Sequence, residues 1–174
     1  MYKGIEEVNL MPQSQKESFE QLRRIITFLT VTVRHFEESV PYLVLSSKRF
    51  RNGRFQEYDG FLASVALDTW RLAIDGALPD LKIILADLEA HQKAERLPPH
   101  EMLKALFAAL GSVLYAAKLS QVQSQRVWRW HKDFAAVAHA NEPLKNLSRS
   151  GEYLKDLMEN LGALGEVTKQ RLRE

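Results

Sequence analysis

The chain has 174 residues, 45% of them apolar and 26% charged, with a formal net charge of +2, a composition typical of a globular domain large enough to bury one core. It contains no cysteine, so disulfides, thiolate metal sites and cysteine nucleophiles are excluded. The small net charge argues neither for nor against a polyanionic partner, and the distribution of charge has to decide. MYKGIEEVNL lacks the apolar segment of a signal peptide, and no later run is long enough to span a bilayer; a cytoplasmic location and no membrane partner are therefore expected.

In chain order, the first structural signal is Ser14 with Glu17 three residues on, the pattern of a capping box at a helix start. Phe19, Leu22, Ile26, Leu29, Val33, Phe36 and Val40 then alternate in steps of three and four. That is a heptad seam, suited to packing along a neighbouring helix or a second copy of the chain. Pro41 is expected to end this helix. Residues 42–60 read differently, because YLVLSSKRF and RFQEY flank Asn52-Gly53. An Asn-Gly pair favours a type I′ turn, so one reading is a basic β-hairpin with Phe50 opposite Phe55; the other is a basic loop between helices.

Helical spacing returns with Phe61, Val65, Trp70 and Ile74, ending near Gly76. Pro79 is placed to open a separate helix whose stripe is Leu81, Ile84, Leu85 and Leu88. Pro98-Pro99 closes that element. The stretch from Pro98 to Ala117 has Leu103, Leu106, Leu110, Val113 and Ala117 on one stripe and few polar residues elsewhere. A helix apolar nearly all round is expected to be buried, which marks it as the central helix of the bundle. It either breaks near Ser120 or continues past a polar layer to about Ala140. Asn141, Glu142 and Pro143 open a last helix with Leu144, Leu147, Leu154, Leu157, Leu161 and Leu164 on its stripe. Gly162 and Gly165 weaken its end, and fraying is expected beyond Val167. The expected fold is all-α: one domain over 1–174, an elongated bundle of about five helices, with a β-hairpin at 42–60 as the variable feature.

Charge is unevenly placed. Lys48, Arg49, Arg51 and Arg54 gather with no acid between Glu38 and Glu57, and Lys104, Lys118, Arg126, Arg129 and Lys132 with none between Glu101 and Asp133. Basic residues interleaved with Trp128, Trp130 and Phe50 suit a phosphate backbone with base stacking, or an acidic protein surface. Lys48, Arg49, Arg51, Arg54, Trp128, Arg129 and Lys132 are therefore the candidate partner-binding residues. The expected function is that of a small non-enzymatic interaction or regulatory protein, its partner another protein, a second copy of itself, or nucleic acid.

One enzymatic alternative rests on Arg126 and His131, separated by four residues in RVWRWH. The pair resembles the R-x4-H motif of HEPN ribonucleases, all-α proteins that cleave RNA across a dimer without metal. The resemblance implies that His131 moves the 2′-hydroxyl proton and that Arg126 stabilises the phosphorane charge. Val127 stands where that family usually has a polar residue. His139 with Glu142-Pro143-Leu144-Lys145-Asn146-Leu147 is similar to the phosphoacceptor box of histidine kinases but is one residue short between His and Pro, and it reads better as a helix junction. The five histidines show no i, i+4 His/carboxylate repeat of the kind that builds di-iron bundles, His91 with Glu95 being one ordinary pair, so neither a metal nor a cofactor is expected.

Overall fold

The structure, a computed structural model, describes residues 13–52, 57–130 and 159–173. Among them are four helices and no strand: α1 (Gln13–Asn52), α2 (Glu57–Lys93), α3 (His100–Trp130) and α4 (159–171). The all-α class stands, with four helices where about five were expected. Helix α2 packs along both α1 and α3, while α1 and α3 make no comparable contact among the described residues.

Helix α1 forms because its buried positions keep helical spacing for its whole length. Leu22, Ile25, Leu29, Thr32, Phe36, Ser39, Leu43, Ser46 and Phe50 are all buried and recur in steps of three and four. The heptad seam is therefore real but longer than its apolar members suggest. Leu22, Ile26, Leu29, Val33 and Phe36 belong to one core within the chain, with Phe19 and Val40 against it. That seam is occupied inside the chain rather than left for a second copy. Ser14 lies inside α1 rather than ahead of it.

Pro41 does not end α1. A proline inside a helix removes one backbone bond and crowds the carbonyl four residues earlier, at a cost of about 3 kcal/mol. Here Pro41 is exposed, and so is Glu37, whose carbonyl is set free. The buried residues on both sides, Phe36 and Leu43 among them, hold the helix together across the defect. The same holds for α2, which continues through Gly76 and Pro79 as one helix instead of two.

The β-hairpin at 42–60 is not present. Residues 42–52 are the last turns of α1 and residues 57–60 the first turn of α2; Gly53 to Gln56, with Arg54 and Phe55, lie outside the described residues. Phe50, at 2% exposure, is a core residue rather than half of a cross-strand pair. The physical reason is the helical stripe of small hydroxyl residues. Ser39, Ser46 and Ser47 occupy core positions, where serine satisfies itself by bonding to a backbone carbonyl. Ser39 Oγ donates to the His35 carbonyl at 2.7 Å, and Ser47 Oγ to the Ser64 carbonyl on α2 at 3.3 Å.

In α2 the buried residues include Ala63, Ser64, Ala66, Leu67, Trp70, Ile74, Ala77, Leu81 and Leu88. Trp70, Ile74, Leu81 and Leu88 are as expected, whereas Phe61 and Val65 are exposed, a register error in the sequence reading. Ion pairs between Lys82 and Glu37 and between Arg51 and Asp68, with the Ser47–Ser64 bond, fix α1 and α2 as antiparallel neighbours.

Helix α2 ends in a Schellman motif. Arg96 N–H donates to the His91 carbonyl and Glu95 N–H to the Gln92 carbonyl, with Glu95 at φ 52°. This is the left-handed conformation that usually calls for glycine. Pro98 and Pro99 then prevent helix, and α3 runs back along α2. Its stripe Leu103, Leu106, Leu110 and Val113 is buried as expected, with Ala116 at the next step. But α3 is not the central helix. It exposes Phe107 at 55% and Tyr115 at 75%, and it continues without a break through Ser120 to Trp130. Helix α4 lies antiparallel to the first turns of α3 and extends past Val167. There Thr168 is buried, donates to the Gly165 carbonyl and so accepts from His100 Nδ1 at 3.1 Å.

Candidate interaction surface

Helices α1 and α3 both run antiparallel to α2, so their C-terminal turns lie at the same end of the bundle. That topology gathers two basic segments far apart in sequence. Lys48, Arg49 and Arg51 are in the last turns of α1, and Lys118, Arg126 and Arg129 in the second half of α3, with Trp128 and Trp130. Lys48, Arg49 and Lys118 are exposed. The acids on the helices nearest this end are Glu57, Asp59 and Asp68 near the start of α2.

Arg51 differs from its neighbours. Its Nη2 lies 2.7 Å from Asp68 Oδ2, with the two side chains 58% and 32% exposed. The guanidinium thus clasps α1 to α2 as well as adding charge, and it is less available to a partner than Lys48 and Arg49 on the same helix. Lys48 and Arg49 point away from the core instead. At three- and four-residue steps they share the outer face of α1 with Tyr42 and Leu45, which are 39% and 45% exposed. The sequence reading missed these two because an apolar pair beside a suspected hairpin looks like strand. The 42, 45, 49 spacing was the available signal.

Arg54, His131 and Lys132 lie outside the described residues. Arg126 is on α3, and its pairing with His131 falls outside the described residues. No group of three or more metal-ligating side chains occurs among the described residues, and none of the described helices is long and apolar enough to cross a membrane.

A recess of about 350 Å³ is at the opposite end, lined by Lys16, Phe19, Glu20, Arg23, Gln92 and Glu95. Its charges are of both signs, and Glu20 lies within 4 Å of Arg23 and Arg24, so they neutralise one another rather than converge on a ligand. A smaller one, about 230 Å³, lies where α4 meets the start of α3, beside His100, Glu101, Thr168 and Arg171.

The fold and its surface thus define an all-helical antiparallel bundle with a basic end. Comparison with protein-family models, with curated proteins and with solved structures finds no match.

Proposed function

We propose that the protein is a non-enzymatic helical interaction protein of the cytoplasm that holds an acidic macromolecular partner against the basic end of its bundle. The observation that supports this reading is that Lys48 and Arg49, in the last turns of α1, and Lys118, Arg126 and Arg129, in the second half of α3, lie towards the same end of the bundle. Exposed Tyr42 and Leu45 beside Lys48 and Arg49 supply apolar contact within the same patch. Steering by such a patch raises encounter rates with an acidic surface and is salt-sensitive.

Titration of the purified protein against fluorescent single-stranded RNA and against fluorescent polyglutamate, each at low and moderate salt, tests this. Salt-sensitive binding of either, lost when Lys48, Arg49, Lys118, Arg126 and Arg129 are replaced together by Ser, is the expected result. Binding of neither, or unchanged affinity in the variant, refutes the basic end as the binding surface. Cut RNA in the same reaction, lost on Arg126→Ala or His131→Ala, identifies a ribonuclease of the HEPN kind instead.

A further inference from the structure

The outward face of α2 carries a second, uncharged feature that the basic end does not use. Phe61, Val65, Thr69, Leu72, Gly76, Pro79, Ile83, Ala86 and Ala90 recur in steps of three and four and are all exposed. Phe61, Leu72 and Ile83 are 57%, 60% and 60% exposed, and Val65 41%. The stripe lies opposite the face that packs on α1 and α3 and contains no charged side chain over 30 residues. An exposed apolar strip about 45 Å long is the kind of surface that marks an interaction site.

We propose that a second copy of this chain docks antiparallel on this stripe, with Gly76 of each copy at the two-fold axis. The argument is self-complementarity, which an isologous interface requires. Reversing the stripe about Gly76 sets Phe61 opposite Ala90 of the second copy, Val65 opposite Ala86, Leu72 opposite Pro79 and Thr69 opposite Ile83. Phe61 and Val65 each meet an alanine, Leu72 and Ile83 meet the mid-sized Pro79 and Thr69, and glycine meets glycine at the centre. A Cβ at Gly76 would find nothing within 4 Å in its own chain. Glycine weakens a helix interior, and here it leaves room for the two backbones to approach.

Some of the flanking charges are paired within each copy, while Asp80, Asp87 and Glu89 are exposed beside the stripe. Asp75 accepts from Arg71 at 3.0 Å, Asp68 is paired with Arg51, and Lys82 with Glu37. Helix contact over about 45 Å, on a cylinder about 10–12 Å across, removes on the order of 1,000 Å² in total, the lower bound of a specific interface.

The absence of cysteine from the chain makes the test direct. Light scattering on the eluting protein should give twice the 20.0 kDa chain mass, falling to the chain mass in Leu72→Glu with an unchanged helical spectrum. On mild oxidation Gly76→Cys should cross-link to itself, while Ala90→Cys should cross-link only when mixed with Phe61→Cys. Ser112→Cys, exposed on α3, reports random collision and should stay uncross-linked. A chain-mass species at the highest attainable concentration overturns the proposal. So does a dimer that survives Leu72→Glu, and self-cross-linking of Ala90→Cys overturns the antiparallel register.

Discussion

The register of α2 is open to a decisive comparison between Leu67→Ala and Phe61→Ala. Helical spacing alone favours Phe61 as a core residue, yet it is 57% exposed while Leu67 is fully buried. Leu67→Ala removes three buried carbons, about 2.4 kcal/mol at 0.8 kcal/mol each. The cavity left behind brings the expected loss to about 2–5 kcal/mol. A fully buried Phe→Ala change would cost about 3–5 kcal/mol. With more than half of Phe61 in water, and little cavity to leave, about 1 kcal/mol or less is expected. Urea unfolding followed by circular dichroism at 222 nm measures both, at a protein concentration low enough for the chain to be monomeric. Equal midpoint slopes are needed for the comparison to report stability. A Phe61→Ala loss as large as that of Leu67→Ala would refute the observed register and return α2 to the face expected from its sequence.

Three further outcomes follow from the backbone and the helix clasp. Pro41→Ala should stabilise the protein by about 1–3 kcal/mol, because it restores a helical bond at an exposed site; a neutral result in thermal unfolding would mean that α1 stops at Pro41. Glu95→Gly should raise stability by about 0.5–1 kcal/mol, since glycine takes φ 52° without a Cβ penalty, and a loss would show that the Schellman geometry is absent. A double-mutant cycle with Arg51→Ala and Asp68→Ala should give a coupling of about 0.2–1 kcal/mol, discounted for the exposure of both groups. No coupling would show that Arg51 is as free as Lys48 and Arg49.

Much of the core was legible in the sequence. The stripe Leu22, Ile26, Leu29, Val33 and Phe36, and the stripe Leu103, Leu106, Leu110 and Val113, are buried where their spacing put them, because helical period and hydrophobicity are properties of the chain itself. What the sequence hid was where helices stop. Pro41, Gly76 and Pro79 are local signals worth up to about 3 kcal/mol each. They lose to the summed burial of residues on either side, which depends on a partner helix that local sequence does not contain.

The candidate surface divides in the same way. That Lys48, Arg49, Lys118, Arg126 and Arg129 are basic is evident from composition, and so is their clustering into two segments. That the two segments share one end follows only from α3 turning back on α2 at Pro98-Pro99. The pairing of Arg51 with Asp68, seventeen residues apart, likewise exists only because α1 and α2 lie antiparallel. Exposure was decided last of all. Phe61 and Leu67 are equally apolar, and what separates them is the side of α2 on which α1 and α3 come to rest.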